Sequence, residues 1–456
     1  MNAPTQNKFD FISNIKKLLL IFAVFSTASY IWISLIPSYL GFKASEAIST
    51  ISGDSWCNPL NEGFGNHCFS DFYQVLNLTK LNNPWFSTQN AYPPAALMVF
   101  KFFSFLHDNF PNSRFALLAY FVFCITLLII PIQSMLKHKQ VNHFHKVIIF
   151  IIIFTMSPLI MAFDRGNIII ILIPMMFMFT ISYFEGNSHR MYIFGVLMFL
   201  LKPQIFLLGI LFIKKNQIFN LMKWTVFTSV SFLLSFLFFP RNLLQNINSY
   251  FGVISNYQSY TNAGSLNPVN ISISNTILVL KRILLTLFPS SFGGDPFGKW
   301  NYYPVYINFI ILVLSSFFIY FSKNLILNIF IAICNVILLP NVSFAYYLCL
   351  LIPIFVILFI EMLSLNSNSK FIEFEDKESQ NDFYFINNTI IFRILSRVII
   401  CTLFVNWAVP WSIIPNFNSY WWSNIGINWL VGQIVLVVTY FVVLLYGINQ
   451  FIRVKK

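Results

Sequence analysis

Long apolar runs, many of them the length of a membrane crossing and nearly free of charge, follow one another from Leu18 to Tyr446. Nothing else constrains the fold as strongly. A hydrocarbon layer about 30 Å thick is crossed by roughly 20 apolar residues of α-helix. Composition agrees, since 57% of the 456 residues are hydrophobic, 9% are charged and the mean hydropathy is +0.71. A soluble domain carries about 25% charged residues. The chain therefore reads as one all-α polytopic membrane domain over 1–456, with about 11–13 membrane segments once half-helices are counted. There is no repeat period and no coiled-coil heptad.

The formal net charge of +13 raises nucleic acid as a partner. Its lysines and arginines, however, sit mostly in short loops between apolar runs. That is the pattern of orientation signals, not of a nucleic-acid footprint.

Lys8, Lys16 and Lys17 precede the apolar run Leu18 to Ile36, which no small-residue cleavage site follows. It reads as an uncleaved first helix with a cytoplasmic N-terminus. Residues 37–111 then form a first extracytoplasmic loop. Its apolar piece Pro93 to Leu106 is short, contains Lys101 and reads as re-entrant. A full crossing there would put Lys137, His138 and Lys139 outside, against the positive-inside rule. Arg114 to Ile130, Val147 to Phe163 and Ile168 to Phe184 are spans, and Asp164-Arg165-Gly166-Asn167 joins the last two at the outer face. Two half-length pieces, Met191 to Leu201 and Ile205 to Ile213, are hinged at Lys202-Pro203-Gln204. Irregular backbone at membrane depth survives only where it is buried or lines a cavity, so the hinge should lift Lys202 toward a cavity. Trp224 to Phe239 leads to a second extracytoplasmic loop, 240–302. Tyr303 to Phe321, Leu325 to Leu339, Phe344 to Leu363, Ile390 to Leu403 and Asn428 to Tyr446 supply the remaining spans and return the C-terminus to the cytoplasm. Trp411, Trp421 and Trp422 in the last outer loop read as an interfacial belt.

Cys124, Cys334, Cys349 and Cys401 lie in apolar runs and read as packing residues. Cys57 and Cys68 share the first outer loop and are candidates for a disulfide if that side is oxidising.

Charges near membrane depth cost roughly 2.5–3.5 kcal/mol each on insertion scales and are functional candidates. Arg165 and Lys202 qualify, and Lys281 with Arg282 could reach the same cavity from the second loop. A lone ion pair or a snorkelling side chain is the plain alternative for each. Among the first loop's acids, Asp54, Glu62 and Asp71, Asp71 is preferred because it opens a short amphipathic helix, Asp71 to Leu81, that also carries Tyr73. His67 lies nearby in sequence and reads as an ordinary loop histidine.

One acid facing several cations suggests a particular chemistry. Glycoside hydrolysis needs two carboxylates, one of them to protonate a poor leaving group. A sugar phosphate leaves as phosphate and needs one base for the acceptor hydroxyl and positive charge for the departing group. In-line attack would invert the anomeric centre. No Asp-x-Asp pair is present to grip a metal-bound nucleotide sugar. Gly293 to Lys299 has the spacing of a phosphate loop but lacks its Ser or Thr and its strand-to-helix setting. No metal-ligand spacing appears outside the helices.

In order along the chain, Asp71-Phe72-x-x-Val75, Asn83-Pro84-Trp85, Tyr92-Pro93-Pro94, Arg165-Gly166-Asn167 and Leu201-Lys202-Pro203-Gln204 resemble glycosyltransferase family 87, also called DUF2029. The resemblance runs over roughly Phe69 to Val342. It implies the GT-C fold and transfer of mannose, arabinofuranose or a related sugar from a polyprenyl phosphate at the extracytoplasmic face. It implies Asp71 as the base, Arg165 and Lys202 near the donor phosphate, and Asn270 and Ser272 in a loop segment that closes the site. Tyr92, Asn167, Gln204 and Asn270 would shape the pocket, and Lys281 and Arg282 would add charge to it. Asn83-Pro84-Trp85 replaces the usual Asn-Pro-Tyr, and an insertion carrying Cys57 and Cys68 precedes Asp71. The expectation is a mannosyltransferase with a polyprenyl-phosphate sugar donor, a lipid or glycan acceptor, no metal and no other cofactor. A lipid-linked-sugar flippase, and a glycan polymerase or ligase using a polyprenyl-diphosphate donor, are the rival classes.

Overall fold

The computed structural model describes residues 24, 69–85, 91–110, 113–138, 141–213, 218–240, 242–262, 270–278, 303–322, 324–364 and 434–446. All of the first span Leu18 to Ile36 but Val24, the loop acids Asp54 and Glu62, His67, Cys57, Cys68, Lys281, Arg282, Cys401, the 390–403 span and the three late tryptophans lie outside them.

The described residues are helical, with no strand among them. In chain order they form α1 (Ser70–Thr79), α2 (Pro94–Asn109), α3 (Ser113–His138), α4 (His143–Thr155), α5 (Ser157–Arg165), α6 (Ile169–Phe184) and α7 (Ser188–Leu201). A 3-10 helix, Pro203–Phe212, follows, then α8 (Ile218–Ser235), α9 (Leu243–Asn262), α10 (Tyr303–Phe321) and α11 (Leu325–Leu338). A second long 3-10 stretch, Ala345–Leu351, runs into α12 (Ile352–Ser364), and α13 (Ile434–Tyr446) comes last.

Two helices are mostly apolar and are buried along nearly their whole length: α6, and α11 from Ile326 to Leu338. A helix that is hydrophobic all round must be enclosed. Around them α3, α8 and α10 turn bare apolar faces outward, with Leu118 60%, Phe227 52% and Phe309 67% exposed. Phe115–Lys137 and Ile218–Phe238 are long and apolar enough to cross a membrane. Exposed surface of that size suits lipid, and it supports an all-α protein associated with a membrane.

Several boundaries differ from those read in the sequence. Val147 to Phe163 is not one span: Met156 is extended, and α5 restarts at Ser157 with Pro158 in its first turn, where the missing amide costs nothing. Phe344 to Leu363 begins as a 3-10 helix and becomes α-helical only at Ile352. The segment 240–302, read as a loop, carries a helix, α9, over 20 of its residues. α3 runs on past Ile130 to His138, and α8 begins at Ile218, ahead of Trp224. The short helix read as Asp71 to Leu81 runs Ser70–Thr79, and α2 at 16 residues is roughly 24 Å long, short of a full crossing.

The break at Lys202-Pro203-Gln204 coincides with the hinge read from the sequence. Lys202 is extended, at φ −147 and ψ 103, and the 3-10 helix starts at Pro203. Trp224 of α8 holds this broken pair together. Its ring fills a notch between Gly195 on α7 and Gly209 on the 3-10 helix, where an added Cβ would lie 2.3 and 2.5 Å from the indole. Its Nε1 donates to the Phe206 carbonyl at 3.2 Å.

A second fastening joins the 270–276 segment to the turn before Ala345. The Ile271 amide donates to the Ser343 carbonyl at 2.7 Å, and Asn270 and Phe344 form an isolated antiparallel bridge.

Candidate functional site

Asp71 lies in the first turn of α1, where a carboxylate favours the helix end. The residue after it, Phe72, is fully buried among Phe100, Phe103 and Tyr120, and this fixes α1 on α2 and α3. The Lys80–Asp108 ion pair at 2.6 Å adds little, being exposed at both ends.

The partner of α1 is the end of α5. Gly166 has φ +61, and its amide donates to the Phe163 carbonyl at 2.9 Å while that of Asn167 donates to Ala162 at 3.0 Å. This left-handed helix end is one that glycine adopts without strain. Glycine is needed a second time because an added Cβ would sit 2.7 Å from the Cβ of Phe72. The close approach delivers Arg165 and Asn167 to Asp71.

Asn167 uses its whole side chain and is 1% exposed. Its Oδ1 accepts from the Ile169 amide at 3.0 Å, capping α6, and its Nδ2 donates to Asp71 Oδ2 at 2.6 Å and to the Tyr92 hydroxyl at 3.0 Å. The Tyr120 hydroxyl donates to its main-chain carbonyl at 2.9 Å. Arg165 Nε stands 3.8 Å from Asp71 Oδ1, with the two side chains 18% and 17% exposed. One oxygen of the acid is thus held by an amide and the other faces a guanidinium. The carboxylate is oriented yet remains open to a ligand.

The hinge brings in the second cation. Lys202 Nζ lies 4.6 Å from the centre of the Tyr92 ring and 5.6 Å from that of Tyr347. The Gln204 side chain lies near the Tyr347 hydroxyl. Tyr92 is held in turn by Trp85, whose Nε1 donates to the Tyr92 carbonyl at 3.0 Å and whose ring packs on Phe236, Phe239 and Tyr250.

Asp71, Arg165, Asn167, Tyr92, Lys202 and Gln204 therefore converge. Tyr73 does not join them: two residues on from Asp71 it points elsewhere, its ring against His107 of α2. Asn270 and Ser272 are buried, at 7% and 0% exposure, and spend their polar atoms on the neighbouring chain. Asn270 Nδ2 and Ser272 Oγ both donate to the Asn341 carbonyl at 3.0 Å, and Asn270 Oδ1 accepts from the Ser272 and Ser343 amides. They fix the segment that leads to Tyr346 and Tyr347.

Those two tyrosines, and Tyr120 behind Asn167, were not singled out in the sequence. Tyr346 is 4% exposed and lies within electrostatic reach of Asp71, Arg165 and Tyr92. The usable signal was Pro340-Asn341, a polar break between two apolar runs. Lys281, Arg282, Cys57 and Cys68 fall outside the described residues. Among those described, no three His, Cys, Asp or Glu side chains gather to hold a metal.

An acid aligned by an amide, flanked by a guanidinium, with an ammonium one tyrosine away, can accept a proton on one side and hold an anion on the other. The sequence model of glycosyltransferase family 87 matches residues 90–348. No curated protein and no solved structure matches the chain.

Proposed function

Because the chain belongs to glycosyltransferase family 87, we propose that it transfers a sugar, with mannose the first candidate, from a polyprenyl phosphate to a hydroxyl of a lipid or glycan acceptor. The observation that carries this reading is the pairing of Asp71 with Arg165 at 3.8 Å beside the Asn167–Tyr92 contact on which Lys202 rests.

Asp71 takes the proton from the acceptor hydroxyl as its oxygen attacks the anomeric carbon. The bond from that carbon to the phosphate oxygen breaks, and its electron pair leaves with the polyprenyl phosphate. Arg165 and Lys202 meet the charge on the departing phosphate. Positive groups already aimed at developing charge in a site shielded from water need no reorganisation during the step. Single displacement inverts the anomeric centre. No metal is required, because two cationic side chains do that work. The fold is of the GT-C type, both termini are cytoplasmic and the site opens on the extracytoplasmic side, where lipid-linked donors meet their acceptors.

The test is a transfer assay with purified protein in vesicles and a panel of polyprenyl-phosphate sugars, run with and without EDTA. One donor should be consumed with formation of polyprenyl phosphate and a product of opposite anomeric configuration, unaffected by the chelator. Activity with a nucleotide sugar alone, or retention of configuration, sinks the proposal.

A further inference from the structure

From the two rings around the Lys202 ammonium we infer that Tyr347 is a positioning residue for the donor phosphate, acting through Lys202; the inference rests on the function proposed above. Lys202 is the last residue before a 3-10 helix and is extended, with its amide donating to the Met198 carbonyl at 2.9 Å and its carbonyl accepting from the Ile205 amide at 3.1 Å. Its four-carbon stem leaves the ammonium free to swing. Two rings from distant parts of the chain limit that freedom: Tyr92 ahead of α2, at 4.6 Å, and Tyr347 in the 345–351 stretch, at 5.6 Å.

An ammonium over an aromatic face is held by the ring quadrupole without being neutralised. A carboxylate in the same place would cancel the charge that the phosphate needs. The rings fix the position of the cation and leave it available.

Tyr347 is well placed to act this way because it is itself immobile. It is 4% exposed, and its amide donates to the Phe344 carbonyl at 2.9 Å. Upstream, Asn270 and Ser272 clamp Asn341 and Ser343. The second outer segment thus sets Tyr347, Tyr347 sets Lys202, and Lys202 meets the anion.

The experiment compares Tyr347→Phe with Tyr347→Leu in the full-length protein. Equilibrium binding of polyprenyl phosphate in detergent micelles is read beside donor KM, acceptor KM and kcat. Tyr347→Leu removes the ring face and should weaken polyprenyl-phosphate binding and raise donor KM by on the order of tenfold, with acceptor KM held within about twofold. Tyr347→Phe keeps the ring and should stay within about threefold of wild type. Thermal unfolding of each variant separates misfolding from lost positioning, and Tyr347→Trp, which restores a ring, should recover donor binding if Tyr347→Leu unfolds. Equal effects of Phe and Leu, or a loss confined to acceptor KM, overturn the inference. A wild-type protein that fails to bind polyprenyl phosphate overturns the proposed function itself, and this inference with it.

Discussion

Asp71 and Asn167 are 96 residues apart in sequence, and the amide of Asn167 meets the carboxylate of Asp71 at 2.6 Å. Each sits at a helix end, the first opening α1 and the second following α5. The contact depends on two features that do no chemistry: the seat of Phe72 and the absence of a side chain at Gly166. Because Asn167 donates to Asp71 Oδ2, it fixes the orientation of the carboxyl group.

Asp71→Asn should therefore separate chemistry from binding. Asparagine has the same shape and can still accept from Asn167 through its carbonyl, so α1 keeps its place. It cannot take the acceptor proton. Transfer should fall roughly 10²–10⁴-fold, with donor affinity within a few-fold of wild type. Normal turnover by this variant removes Asp71 from the mechanism.

Arg165→Ala should act on the other half of the step. The guanidinium lies 3.8 Å from Asp71 and, on the proposed reading, meets the donor phosphate. Its loss should raise donor KM as well as lower kcat, because it takes away charge that acts in the ground state and in the transition state alike. Unchanged donor affinity, measured as polyprenyl-phosphate binding, would count against its role.

Gly166→Ala tests how the site is assembled. The new methyl meets two penalties, a φ of +61 and a neighbouring carbon at 2.7 Å. Together they should destabilise the protein by on the order of 1–3 kcal/mol and push α5 away from α1. A lowered unfolding temperature accompanied by lost transfer is expected. A fully stable and active variant would show that the Phe72 contact does not set the position of Asn167.

How much of this was legible in the sequence varies from residue to residue. The hinge at Lys202-Pro203-Gln204 was readable because proline cannot continue a helix and the flanking pieces are each too short to span. The equivalent break at Met156 was missed although Ser157-Pro158 carried the same signal, since the surrounding run is apolar enough to pass as one span. Arg165 and Lys202 stood out as charges between apolar runs, and Asp71 as the acid that opens a short helix in the first loop. Tyr346 and Tyr347 did not, because tyrosine beside leucine and cysteine looks like core. The pairing of Asp71 with Asn167 could not be read at all: it depends on how closely two helix ends approach, which is set by the Phe72 side chain meeting Gly166.

The indole of Trp224 offers a prediction about the scaffold beneath Lys202. The ring occupies the notch between Gly195 and Gly209, and the atoms nearest to a Cβ at Gly195 belong to its benzo edge, at 2.3 and 2.5 Å. Gly195→Ala should therefore overpack the notch and cost about 1–3 kcal/mol. Trp224→Phe removes that edge and also the Nε1–H donated to Phe206. With the edge gone, the methyl of Gly195→Ala has somewhere to go. The double variant should be more stable than the sum of the two single effects implies, with a coupling of about 0.5–3 kcal/mol, as is usual for residues in contact. Unfolding temperatures of the four proteins in one detergent measure the coupling. Strict additivity would mean that α7 moves away from α8 at no cost, and the hinge that presents Lys202 would then need another support.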